Sequence, residues 1–154
     1  MNILKAALIG LSAAFVQADC PACDKEHCKL LEELPVIKKA AARNGCKGDD
    51  FIILLAIRKA ENGRPGLEFG ILHPKALKLI KNEPERSLDI QAGWCAATIV
   101  KNRARWEKTD KKEDFITFLG GRYCPVGAEN DPDGLNKNWI KNVKYWFNKL
   151  KGLK

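Results

Sequence analysis

Seven consecutive apolar residues, Phe51-Ile52-Ile53-Leu54-Leu55-Ala56-Ile57, stand in the first half of the chain. A surface helix has one apolar stripe, so a helix that is apolar all round must be buried on every side. Asp49 and Asp50 precede the run as candidate N-terminal caps. Asn62-Gly63-Arg64-Pro65-Gly66 breaks it. The reading is a central helix over 49–62, around which every other element must pack.

The neighbouring segments supply that packing. Residues 35–44 read as a helix with Pro35 in its first turn and Gly45 at its C-terminal cap. Residues 67–72 read as a short extended piece, one arm of a small β-hairpin, which His73-Pro74 stops. Residues 87–108 form a second long helix capped by Ser87, with Ile90, Trp94, Ala97 and Val100 at helical spacing. Residues 112–120 form a third, and 123–135 a loop rich in Gly, Pro, Asn and Asp. The last helix covers 136–151, capped by Asn136, with Trp139, Val143, Trp146, Phe147 and Leu150 on its apolar stripe. The fold class is therefore mainly α, an α+β domain with one small β element.

The N-terminal residues bear on the compartment. Residues 1–18 carry a single charge, Lys5, then the apolar run Ala6–Val16 and a small-x-small site at Val16-Gln17-Ala18. This is the pattern of a signal peptide cleaved before Asp19, and the run is too short for a stable membrane anchor. The expected location is secreted or periplasmic. Residues 19–48 then form a cysteine-rich segment, and 49–154 the main domain. Lys and Arg number 27 against 19 Asp and Glu. The excess favours a polyanionic partner without choosing one. Sequence-specific nucleic-acid binding has no motif in its support. Lys101, Arg103, Arg105 and Lys108, and the lysines of the last helix, read as solvated faces, with a weak patch for a polyanionic polymer as the alternative.

Glu61 is the residue with chemical potential. Ile57 and Leu54 lie one and two turns before it, so its carboxyl sits on the buried stripe where the helix opens into a glycine loop. Burial and the negative helix end both disfavour its ionised form. A carboxylic acid kept protonated near neutral pH is what a glycosidic general acid requires. The competing reading is a solvated Glu paired with Arg58 or Arg64, and the pattern alone leaves it open.

The segment Ala56-Ile57-Arg58-Lys59-Ala60-Glu61-Asn62-Gly63, followed by Glu68-Phe69-Gly70-Ile71-Leu72, resembles the catalytic segment of lytic transglycosylases and goose-type lysozymes of the lysozyme-like superfamily. Asn62 stands where those proteins usually have Ser, and His73 where Gln commonly falls. Gln91–Asn102, Asp114-Phe115-Ile116 and Tyr123–Pro132 resemble small lysozyme-like domains of phage and bacterial proteins. The resemblance covers about residues 49–145. It implies a lysozyme-like fold and cleavage of β-1,4 bonds between the aminosugars of peptidoglycan. In that scheme Glu61 is the catalytic acid and Tyr123 a catalytic residue facing it, orienting substrate or stabilising charge; the competing reading is a Tyr packed beside Pro125. Asn62, Phe69, Gly70 and Asn130 contact the glycan, and no metal or cofactor takes part. The partner is the peptidoglycan strand, acted on by a monomer that does not insert into membranes. Two other readings compete: a non-catalytic lysozyme-like glycan binder, and a cationic cysteine-rich membrane-active protein.

The six cysteines complete the reading. Cys20, Cys23, Cys28 and Cys46, with His27 beside them, suit either zinc or disulfides, and export favours disulfides. Cys95 and Cys124, alone in the body of the chain, are expected to pair with each other. Glu129-x-Asp131-x-Asp133-Gly134 resembles the front half of a calcium loop but has Ile140 at the twelfth position, so a turn and helix cap is the preferred reading.

Overall fold

A computed structural model describes residues 25–129 and 131–152, with side chains from residue 29 onward. The expected signal peptide over 1–18, Cys20, Cys23 and Asn130 lie outside the described residues, as do the side chains of His27 and Cys28. The described chain is mainly helical: α1 (Lys25–Arg43), α2 (Asp49–Glu61), α3 (Pro74–Asn82), a 3-10 turn (Pro84–Arg86), α4 (Ser87–Trp106), α5 (Phe115–Tyr123) and α6 (Lys137–Lys151).

The apolar run is where burial demands it. In α2, Ile53, Leu54, Ala56 and Ile57 are almost wholly buried, between α4 and α6 with α1 alongside. α1 packs on α4, α3 on α4, and α5 between α4 and α6. Gly45, with φ of +68°, closes α1. Cys46 N–H reaches Ala41 O at 3.0 Å and Gly45 N–H reaches Ala42 O at 3.1 Å, the paired bonds of a Schellman turn.

Several boundaries differ from the sequence reading, each for a local reason. α1 begins well before residue 35, so Pro35 sits inside a helix. Its ring deprives the Leu31 carbonyl of a partner, and both residues are exposed, so water can satisfy that group. Asp49 and Asp50 do not cap α2. Gly48 holds that position, and the two carboxylates turn outward to Lys151 at 2.8 Å and Arg103 at 2.5 Å. His73-Pro74 does not merely stop a strand; it starts α3, with His73 Nδ1 accepting from Lys75 N–H at 3.2 Å. α5 begins at Phe115, capped by Asp114, whose Oδ1 accepts from Thr117 N–H at 3.1 Å.

The β-hairpin is absent: no strand occurs among the described residues, and 67–72 is an irregular loop with a turn at Glu68-Phe69. The reason is Gln91 of α4. Its Oε1 accepts from Phe69 N–H at 3.2 Å and Ile71 N–H at 3.0 Å. Its Nε2 donates to Gly66 O at 3.0 Å and Ile71 O at 2.9 Å. One buried side chain thus gives the loop the backbone partners that a second strand would have supplied.

Candidate active site

Glu61 ends α2, and the following Asn62 turns the chain in the left-handed region with φ of +42°. The Glu61 carboxyl faces a cleft of about 320 Å³ that Leu67, Gly70, Leu72, Tyr123, Cys124, Pro125 and Asn136 also line. Arg58 does not neutralise it. That guanidinium is buried and grips Glu33 of α1 through two bonds of 2.7 Å. Arg64 is exposed, and among the described residues no ion pair with Glu61 occurs. The solvated, ion-paired reading of Glu61 therefore loses the partner nearest in sequence.

The polar partner that Glu61 does have comes from α6. Trp139 Nε1–H donates to Glu61 Oε1 at 2.8 Å. Burial holds the Glu61 pKa above the ordinary carboxyl value; the indole bond acts the other way and is the smaller influence. Glu61 is thus a half-buried carboxyl with a raised pKa on the wall of an open cleft, a combination that marks a candidate proton donor.

Gly70, expected to contact the glycan, lines the cleft beside Glu61. Its φ is +66°, and a Cβ there would lie 2.7 Å from Glu61 Oε2. Gly70→Ala is accordingly expected to push the carboxyl out of place and strain the turn. Any activity that depends on Glu61 should fall on the order of 100-fold, the consequence of a displacement near 1 Å, while the fold persists. Parallel assays of wall lysis and thermal unfolding check this; unchanged lysis would show that Glu61 tolerates displacement.

The other expected site residues are placed differently. Phe69 is fully buried, so its side chain serves the core and cannot touch a substrate. Only its backbone approaches the site, its carbonyl accepting from Tyr123 Oη at 2.5 Å. Asn62 caps α2 and lines a small surface depression with Glu33 and Arg58 instead of the cleft. Tyr123 lines the cleft, but its hydroxyl is turned to Phe69 O and lies 3.4 Å from Cys95 Sγ. Its ring stacks on Trp139 with centroids 5.1 Å apart. Tyr123 braces the acid's hydrogen-bond donor and does not point a hydroxyl at the cleft.

The Cys95–Cys124 bridge is not formed; Cys46, Cys95 and Cys124 are free. α5 presents Tyr123, not Cys124, to Cys95, and Cys124 turns into the cleft beside Glu61. Burial raises the Cys46 thiol pKa to about 12 and that of Cys124 to about 11, and lifts Cys95 further still.

Two other carboxylates near in sequence to the cleft residues, Glu68 and Asp131, do not line it. Glu68 is 5% exposed, with Oε1 accepting from Ser87 Oγ at 2.5 Å. Asp131 accepts from Gly127 N–H and Asn136 N–H, both at 3.1 Å, and so organises the loop before α6. Both of its oxygens serve that loop, in keeping with the turn reading over the calcium one.

Two residues that matter here escaped the sequence reading. Trp139 read as one more apolar residue of α6, and nothing in its spacing pointed to a carboxylate. Gln91 carried a usable signal, an uncharged amide between Ile90 and Ala92 on a helix rich in buried residues. Neither a protein-family model, nor a curated protein, nor a solved structure matches the chain.

Proposed function

We propose that the protein is a peptidoglycan glycosidase of the lytic transglycosylase type, with Glu61 as general acid and then general base. The observation that carries this reading is Glu61 itself: a carboxyl with raised pKa, without a cationic partner among the described residues, on the wall of a cleft. The resemblance of 56–63 and 68–72 to the transglycosylase catalytic segment supplies the substrate class.

The carboxylate inventory supports the transglycosylase form over the hydrolase. Hydrolytic glycosidases generally place two carboxyl groups across the scissile bond. Here Glu61 is the only carboxylate among the described residues lining the cleft. With one carboxyl the chemistry runs through the substrate. Glu61 protonates the leaving glycosidic oxygen, and the C1–O bond breaks. The sugar's own C6 hydroxyl bonds to C1 and returns its proton to Glu61. No water is consumed.

The expected products from purified sacculi are therefore fragments with 1,6-anhydromuramic ends. Mass spectrometry distinguishes them from hydrolytic products by the water they lack. Reducing ends alone would make the protein a hydrolase, and retention on sacculi without release would make it a glycan binder.

A further inference from the structure

The bond between Trp139 and Glu61 determines which oxygen of the acid can work. An indole N–H is a donor only, and it lies 2.8 Å from Oε1. Oε1 must therefore be an acceptor in both protonation states of the carboxyl. Oε2 lies against Gly70 on the cleft wall, in the space a side chain at that position would fill.

We propose that Trp139 is the positioning residue of Glu61: it confines the transferable proton to Oε2, beside Gly70, and stabilises the carboxylate left when that proton departs. This rests on the reading of Glu61 as the general acid. In the step itself the Oε2–H bond breaks and the proton joins the leaving glycosidic oxygen. The electron pair of the broken C–O bond stays on that oxygen. Glu61 is left as an anion, and the indole bond to Oε1 becomes charge-assisted, roughly twice as strong as a neutral one. A bond that strengthens toward the transition state raises kcat more than it lowers KM.

The donor is held so that it cannot swing away. Tyr123 stacks on one side of Trp139, and the Tyr123 hydroxyl is tied to the Phe69 carbonyl. Gly120 of α5 lies against the indole: a Cβ there would come 3.2 Å from Trp139 Cε3 and 2.5 Å from Ile140 Cγ1. Only a glycine lets α5 and α6 approach this closely. Trp139 itself is 7% exposed, so water does not compete readily for its N–H.

The test uses the full chain labelled with ¹⁵N and with ¹³C at the Glu side-chain carboxyls. The Trp139 indole proton is expected to shift downfield with pH at the same midpoint as the Glu61 carboxyl carbon, and to lose that dependence in Glu61→Gln. In Trp139→Phe, which keeps an aromatic ring at the stack, the Glu61 midpoint should rise, because a donor to the anion has been removed. The alkaline limb of lysis should move up with it, since the acid stays protonated to higher pH. The value of kcat should fall roughly ten- to a hundredfold, the range for a hydrogen bond to a charged group, with KM little changed. An indole resonance that ignores the Glu61 titration would overturn the proposal, even if Trp139→Phe does not fold. So would a Trp139→Phe protein with an unmoved Glu61 midpoint. These readouts are independent of Glu61→Gln activity, so failure of the positioning role and failure of the glycosidase reading are distinguishable.

Discussion

Glu61→Gln is expected to lower the rate of sacculus lysis by at least roughly 10²–10⁴-fold, the range for losing a general acid–base group. The amide has almost the carboxyl's shape, and its oxygen can still accept from Trp139 Nε1–H, so the α2–α6 contact survives. It has no proton to give a departing sugar oxygen. Stability at neutral pH should hold or rise. The Glu61 pKa is raised in the folded state, so the folded protein binds its proton more tightly than the unfolded chain does. Stability is then lost as pH climbs from the unfolded pKa through the folded one, and the amide removes that loss. Retention on sacculi should persist, which separates chemistry from affinity. Lysis at the wild-type rate, measured by turbidity loss with purified sacculi, would end the case for Glu61.

The second large effect is expected at Gln91. Gln91→Ala removes four hydrogen bonds at once and leaves Phe69 N–H, Ile71 N–H, Gly66 O and Ile71 O without partners. Each buried group left unsatisfied costs about 1–3 kcal/mol, although a loop can relax toward water and recover part of it. A net loss of about 3 kcal/mol follows, or a Tm lower by roughly 6–12 °C for a domain of this size. Activity should fall as well, because Gly70 loses its fixed place beside Glu61. Hydrogen exchange locates the damage: the Phe69 and Ile71 amides should become far less protected, while α2 stays slow. If both amides remain protected, something other than Gln91 holds the loop.

These two residues mark what was and was not legible in the sequence. α2 could be read closely because seven apolar residues in a row admit few alternatives to full burial. Glu61 was less plain: its place on that helix also allowed a solvated residue paired with Arg58 or Arg64, and it was the resemblance of 56–63 that singled it out. α4 and α6 were likewise within reach, their 3.6-residue period running over many turns. The loop 67–72 was not. Its alternating pattern suits a strand, and whether its amides meet another strand or a glutamine from α4 depends on tertiary docking. α3 was missed because His73-Pro74 reads equally well as a terminator or as a cap with proline in the first turn. The Cys95–Cys124 pairing failed for a related reason. Counting cysteines says nothing of which face α5 turns toward α4, and that face belongs to Tyr123. Pro35 shows the limit of local rules at a surface, where water supplies what the helix lacks.

The indole–carboxyl bond also bears on when the Glu61 carboxyl reaches its folded surroundings. Glu61 and Trp139 stand 78 residues apart in the chain, and contacts of such long sequence separation form late, after the intervening loops have closed. During synthesis α2 leaves the ribosome well before α6, which follows every other described helix. Until α6 docks, the Glu61 carboxyl has neither its donor nor its full burial. A growing or C-terminally clipped chain would hold the cleft wall with an ordinary, unpositioned glutamate. The surroundings that raise the Glu61 pKa are thus conferred by α6, the last of the described helices to be made.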